Sequence, residues 1–475
     1  MVTQLSAEPR WVVRCALVVS IAVGTLMAPM LGSTAAQDAG TTQPAHAADA
    51  KIFEAQQLLS FVLDRLKSRF AYPELLDQPD FVKKADALRE TIAAAKSLAE
   101  AAPQINALLG ELKISHTALY TPDAIEYPIL LDAIGSGDGI AGLIERKYWG
   151  NLPSLESPGF FMVRIDGKWF VDGILEASPA SGTNLQIGDE IVDVDGAPVD
   201  PVMSFRGKAG RTATLHVRKA KGGDVTAIDV PVKAMVPSIA FATATRQSVR
   251  VIMRNGKRIG YVHVWSSKSD EAFYAALARL TPNGTISVGQ MRNSRVATPD
   301  ASFDVVATEP LDGLIVDMRG KVGGSNFGRQ FVEALGLGAS GQIGGNIEFL
   351  GRDANPRRDR PGANAPPNPP FKGRSVMLID HHARSALEIE AYSFQHEKMG
   401  PLIGTPTAGA VSAAQVMRAP YDTLLYVAVS RIKADGKILE GIGVHPDLRV
   451  ERPLPYSNGA DPVLEAAISH FDQPQ

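Results

Sequence analysis

Apolar residues recur along this chain in three textures, and each texture predicts a different kind of element. In 52–69, Ile52, Leu58, Leu59, Val62, Leu63 and Leu66 return at helical spacing, which predicts an amphipathic helix. Two more helices are predicted around 80–95 and 98–112, the last closing on Leu108, Leu109 and Leu112. Residues 51–125 therefore read as a small helical cap. Residues 158–235 change to short β-rich runs broken by turn residues. From 240 to 455 strand-like and helix-like stretches alternate, with strands predicted at 259–265, 313–317, 375–380 and 424–430 and helices at 269–280, 325–337 and 385–399. Runs such as Leu314-Ile315-Val316 suit strands buried on both faces, as in an α/β sheet. Two stretches, 282–309 and 339–373, interrupt this alternation; the second is rich in Gly, Pro, Asn and Arg. Both read as surface insertions, the second a mobile one. The expected fold class is a multidomain α+β and α/β chain: helical N-terminal cap, β-rich domain, α/β core.

Composition sharpens this picture in two places. At 475 residues the chain has room for two or three domains, and a formal net charge of -3 offers no electrostatic case for nucleic acid or an anionic membrane surface. At the N-terminus, Arg10 and Arg14 flank an apolar run from Ala16 to Leu31. Pro29 and Gly32 then break it before the small residues Ser33 to Ala36. That order predicts an export signal, 1–36, cut after Ala36, followed by an unstructured leader over 37–50. An uncleaved anchor helix is the alternative, since the run falls just short of a comfortable span. The only cysteine, Cys15, lies inside the signal. The expected mature chain thus has no disulfide, no thiol nucleophile and no thiolate metal site. Export without disulfides suggests the periplasm.

The chemistry is sought where the core pattern sharpens. The strand predicted at 375–380 runs through His381-His382-Ala383-Arg384 into a helix opening at Ser385. A serine on such a turn presents its hydroxyl beside free helix N-terminal amides, which can stabilise a developing oxyanion. The plainer reading is that Ser385 is only an N-cap, as serines before helices usually are. His381 and His382 flank the turn, on sequence adjacency alone. His396-Glu397 lacks a second histidine four residues on, so it is no zinc-peptidase pattern, and Gly323-Gly324 lacks the spacing of a phosphate loop or dinucleotide fingerprint.

Four segments, taken in order and spacing, resemble the C-terminal processing (tail-specific) serine peptidases. They are Asp317-Met318-Arg319-Gly320-Lys321-Val322-Gly323-Gly324, Ser385-Ala386-Leu387-Glu388, Gly404-Thr405-Pro406-Thr407-Ala408-Gly409 and Glu440-Gly441-Ile442-Gly443-Val444-His445-Pro446-Asp447. Upstream, Ser178-Pro179-Ala180 and Leu185 to Gly196 resemble the core of a PDZ domain, with Gly159-Phe160-Phe161 as its peptide-binding loop. The resemblance implies a PDZ domain over 158–235 and a peptidase core with a crotonase-like βαβ sheet over 240–455. It also implies Ser385 as nucleophile, with an oxyanion hole from the amides of Gly323 or Gly324 and Ala386. Many members pair the serine with a lysine about 25 residues on, where this chain has Ala410; Lys433 and Lys437 lack motif support and read as solvated. Instead, Leu108 to Thr117 is similar to the segment that supplies a Ser-His pair in the tricorn-core-like branch, which uses a Ser/His/Ser/Glu tetrad. That implies His116 as base, with Ser115 orienting it and Glu440 in the same network.

The expected function is an exported serine endopeptidase that takes protein or peptide substrates by their extended C-termini through the PDZ domain and hydrolyses them through an acyl-enzyme. It needs no metal and no cofactor. A homo-oligomer is compatible with the sequence. The rivals are a PDZ-bearing periplasmic binding protein that lost catalysis with the lysine, and an esterase or amidase on the same nucleophile.

Overall fold

The computed structural model describes residues 53–133, 139–148, 150–268, 270–280, 306–320, 322–324, 347–351, 356–358 and 373–473. The expected signal, leader and helix 325–337 lie outside these residues. Among the described residues no helix is long and apolar enough to cross a membrane. The fold is a mixed α+β assembly with several sheets and helices.

Its centre is a sheet of strands Leu448–Arg449, Leu402–Gly404, Arg374–Ile379, Gly313–Asp317, Lys257–His263 and Arg250–Arg254, in that spatial order. All neighbours run parallel except the last pair. The apolar runs are explained by two-sided burial. Leu314, Val316, Met377 and Ile379 face the helices Asp270–Arg279 and Ala386–His396 through Phe273, Leu277, Leu387 and Phe394. Ile315, Val376 and Leu378 face Val463, Ala467, Ile468 and Phe471 on and just beyond the C-terminal helix Pro462–His470.

The apolar run at 424 behaves differently. Strand Leu424–Ala434 lies outside the parallel sheet, at the centre of an antiparallel one with Ala118–Tyr120, Ala413–Arg418, Ile347–Leu350 and Lys437–Ile438. Alternate residues explain why it looked α/β-like. Leu425 and Val427 pack under the helices Ala55–Arg69 and Leu98–Gly110, while Leu424 and Tyr426 pack under Glu126–Ala133 and Ile140–Tyr148. Helices on both faces make the run continuously apolar, as they do for a parallel strand. Two readings of insertions are corrected here. Within 339–373, strands Ile347–Leu350 and Pro356–Arg358 join this antiparallel sheet; the Gly/Pro-rich surroundings masked the apolar positions Ile347 and Phe349. At the end of 282–309, Ala307 is fully buried, and its amide and that of Val306 donate to the Arg279 carbonyl. The helical part also continues past 125, through Glu126–Ala133 and Ile140–Tyr148.

Residues 155–235 form a module of five antiparallel strands in sequence order, from Phe160–Ile165 to Val225–Pro231, around Val171, Ile191, Leu215 and Val217. Its two ends are zipped together by Leu155–Ser157 against Lys233–Met235. This brings its entry and exit to one place beside the core.

A buried ion network ties the core sheet to the C-terminal helix. Arg319 donates from Nε and Nη2 to Asp317 (2.8 and 2.6 Å) and from Nη1 and Nη2 to the helix N-cap Asp461 (2.9 and 2.7 Å). The Tyr261 hydroxyl adds a fourth donor, 2.7 Å from Asp317. Burial opposes the charge on Asp317, but Arg319 and His263 outweigh it and hold the carboxyl well below the usual range. Removing one partner of such a set strands a buried charge. Arg319→Leu should therefore destabilise the fold by roughly 3–5 kcal/mol in chemical denaturation, whereas Arg449→Leu, an exposed arginine paired only with exposed Glu451, should change stability by less than about 1 kcal/mol.

Candidate active site

The turn between strand Arg374–Ile379 and helix Ala386–His396 is where backbone strain concentrates. Ser385 has φ 58° and ψ -122°, whereas an N-cap residue ordinarily sits in the β region. A non-glycine residue there is strained by about 1–3 kcal/mol and persists only where its surroundings dictate it. Glu388 supplies much of that constraint. Fully buried, its carboxylate accepts from the Ser385 amide (3.2 Å), the Thr407 hydroxyl (2.6 Å) and the amides of Gly409 and Ala410 (2.7 Å each). Burial pushes this carboxyl upward, and the four donors work against that shift. The Ser385 amide also donates to the Ala410 carbonyl at 2.8 Å. The position where a lysine would stand thus contributes its backbone to the turn, and the side chain there is a methyl group.

Gly323 lies directly against this serine. A Cβ at Gly323 would fall 2.6 Å from the Ser385 Cβ and 3.2 Å from the Ala386 nitrogen, so only glycine fits. Among the described residues neither the Gly323 amide nor the Ala386 amide donates to a protein acceptor. The Gly323 carbonyl is held by the Ser266 hydroxyl at 3.0 Å. Gly324 sits elsewhere, packed on Ser267 and Lys268. Lys268, a lysine close to this loop, is committed to Asp132, whose backbone and carboxylate oxygens both face its ammonium. Lys433 is half-buried in its strand and Lys437 is exposed.

The candidate base arrives from the other end of the chain. His116 is a second strained residue, φ 56°, just before strand Ala118–Tyr120. That strand pairs with Leu424–Tyr426 (Ala118 opposite Tyr426), and the imidazole packs against the Tyr426 ring at a centroid distance of 5.1 Å. Its Nδ1 lies 2.7 Å from the Ser115 hydroxyl. The Ser115 amide donates to Glu440 at 2.6 Å, and the other Glu440 oxygen accepts from the amides of Val411 and Ser412 at 3.1 and 2.8 Å. The structure thus joins Ser115, His116 and Glu440 in one network, which reaches Ser385 through the 410–412 backbone. No hydrogen bond links His116 to the Ser385 hydroxyl. Sequence reasoning had no signal for Tyr426, whose contact depends on strand pairing; Glu388 was visible as the glutamate three residues after the serine, but its four donors were not.

The remaining named residues belong to the module and its seam with the core. Gly159, at φ 88°, lies so close to Ser178 that a Cβ would clash. Its carbonyl accepts from the Leu175 amide at 2.9 Å. Phe160 turns inward, edge-on to Phe205. Phe161 turns outward onto Phe241 and Trp265, ring centroids 6.2 and 6.0 Å away. An apolar pocket opens beside Phe161, lined by Phe161, Leu175, Met235 and Phe241 together with Ile125 and Ile129 of the helical part. His382 does not face Ser115 and His116; it lies between Asp380 and Asp172 of the module.

Burial lowers the His116 imidazole to about 4; Glu440 pulls it upward and Arg384 pushes it down. The ring is therefore neutral at ordinary pH, with a nitrogen able to accept a proton. Its folded value lies below the unfolded one, so the unfolded chain takes up this proton first as the pH falls. The His116 contribution to stability is complete above about 6.5 and is lost as the pH drops from there to about 4. Proton NMR should find the His116 ring titrating near 4, against about 6.5 for a free histidine; titration at 6 or above would contradict the burial seen here.

Comparison with known proteins is consistent with this geometry. Residues 258–450 match peptidase family S41. Tricorn protease homolog 1 of Streptomyces coelicolor is 27% identical over 323 residues, which is 64% of this chain and 26% of that protein. Tricorn protease of Thermoplasma volcanium is 27% identical over 323 residues, 64% of this chain and 27% of that protein. The chain spans about a quarter of the length of these curated relatives. Among solved structures, mature CPAF complexed with lactacystin is similar in fold, with a TM-score of 0.50 at 12% identity over 88% of this chain and 97% of that one.

Proposed function

Residues 258–450 match peptidase family S41, and on that premise we propose that the chain is a member of that family and hydrolyses peptide bonds with Ser385 as nucleophile and His116 as base. The observation that carries the reading is the Ser385 turn: a strained serine at a helix N-terminus, beside the Gly323 and Ala386 amides, which have no acceptor among the described residues. Such a pair can bind the oxyanion of a tetrahedral intermediate. His116 takes the Ser385 proton through Nε2 while Nδ1–H is held by the Ser115 hydroxyl, and then gives that proton to the leaving amine. Glu440 lies close enough to favour the imidazolium that forms. Water then attacks the acyl-enzyme with His116 again as base. This is the Ser/His/Ser/Glu arrangement of the tricorn-like branch.

We further propose that the five-stranded module is a PDZ domain. It would receive an extended C-terminal segment of a protein or peptide substrate beside Gly159, Phe160 and Phe161, in the manner of an added strand. The N-terminal pattern supports export, with the periplasm as the site of action. A binding protein without turnover is the competing reading, and the missing hydrogen bond between His116 and Ser385 is what favours it. Catalytic hydrogen bonds of this kind tighten on substrate binding.

A fluorophosphonate probe separates them. It should label the wild-type chain and leave Ser385→Ala unlabelled; a wild-type chain inert to the probe would leave the binding-protein reading standing. For peptide hydrolysis, His116→Ala should lower kcat by about 10²–10⁴-fold, with Lys433→Ala unchanged. The acid limb of kcat/KM should fall near the His116 value of about 4. Because Glu440 raises that value, Glu440→Gln should move the limb to lower pH and reduce kcat; a limb that stays in place would remove Glu440 from the network's electrostatics.

A further inference from the structure

The turn that carries Ser385 holds a second cluster, which Asp172 of the module approaches. Asp380, His381 and His382 each present one ligand-type atom, all within 4.8 Å of one another. Asp380 is pre-oriented: its Oδ1 accepts the His382 amide at 2.8 Å, and its carbonyl accepts the Ala383 amide at 3.0 Å. Asp380 Oδ2 lies 3.1 Å from His382 Nδ1. The opposite ring nitrogen, Nε2, lies 2.8 Å from Asp172 Oδ2, on the module strand Lys168–Ile174. Asp172 is 9% exposed in its side chain and His382 15%, so this pairing is shielded from water. His381 is exposed, its ring 3.9 Å from that of His382.

We infer that Asp380, His381 and His382 form a three-ligand site for a zinc-class divalent cation, with Asp172 of the module orienting His382. Oxygen and imidazole ligands at about 2.0–2.2 Å from a tetrahedral ion stand roughly 3.3 Å apart. The 3.1 Å between Asp380 and His382 already meets that spacing. His381 completes the set by rotating its ring toward the other two ligand atoms, which lie within 4.8 Å of its own. The Asp172 contact is the arrangement in which a metal-bound histidine donates its second ring N–H to a carboxylate, fixing tautomer and ring plane. Sequence patterns for zinc miss this site because its three ligands are consecutive in the chain and the orienting carboxylate lies about 200 residues upstream. An ion here would fasten the module strand to the turn that begins at Asp380 and ends at Ser385. The site does not depend on the peptidase reading.

Titration of Zn²⁺ into the full chain against a chromophoric chelator tests it. One equivalent should bind, and His381→Ala, a substitution at an exposed position, should weaken it at least tenfold. Asp172→Asn should retain the stoichiometry with affinity lowered by about 10–100-fold. Hydrogen exchange across 380–385 should slow on adding Zn²⁺ to the wild type but not to His381→Ala. Absence of a bound equivalent, or binding unchanged in His381→Ala, would overturn the site. Affinity unchanged in Asp172→Asn would overturn the part assigned to the module, leaving His382 as an ion-paired residue of the seam.

Discussion

The carboxylate of Glu388 sits without solvent contact at the start of a helix, and it gathers four donors from two segments that would otherwise have no reason to meet. One donor is the amide of Ser385; the others are Thr407, Gly409 and Ala410. A buried carboxylate is costly unless each oxygen is well served, so its burial enforces the approach of the 407–410 segment to the serine turn. That approach explains the unusual backbone at Ser385, which is pinned from one side by Glu388 and Ala410 and from the other by Gly323. It also aligns the next residues, Val411 and Ser412, to bind Glu440, and Glu440 in turn holds Ser115. Thr407 extends the same arrangement by accepting the Val444 amide. The strain at the Ser385 turn and the placement of His116 are thus parts of one hydrogen-bonded construction, fastened at the Glu388 carboxylate.

His116 owes its location to a second constraint, antiparallel pairing. Strand Ala118–Tyr120 is three residues long and would not be stable alone. It gains order by adding to Leu424–Ala434, whose central residues are buried on both faces by helices. Register then decides chemistry: Ala118 opposite Tyr426 places the histidine two residues earlier against the Tyr426 ring. The helical part therefore serves as more than a cover. It places His116 near a parallel-sheet core from which it is separated by the whole five-stranded module in sequence.

That module meets the core through carboxylates and aromatic rings. Asp172 reaches His382, while Glu176 accepts from the Trp265 indole at 2.5 Å and approaches the His263 ring at 3.3 Å. Both contacts come from one strand of the module and the turn after it, and both end on core segments adjoining the serine turn or the glycine loop. Phe161, stacked on Trp265 and Phe241, continues the seam into the apolar cavity. The seam thus runs from the module strand to the segments beside Ser385 and Gly323.

The sequence by itself determined what is local. Runs such as Leu314-Ile315-Val316 announced buried core strands, since burial on both faces removes the polar alternation. Ser385, three residues before Glu388, announced a helix start, and the motifs around Gly323, Gly404 and Glu440 supported one another because they fall in order along the chain. Tertiary structure decided what depends on segments meeting. The run at 424 was assigned to the wrong sheet, because helices on both faces of an antiparallel strand produce the same apolar pattern as a parallel one. The strand Ile347–Leu350 was hidden in a Gly/Pro-rich stretch, its partner some eighty residues away. The Ser115–Glu440 contact spans 325 residues and the His382–Asp172 contact 210. No periodicity encodes such pairs; they arise from strand register and from the need of buried charges for partners.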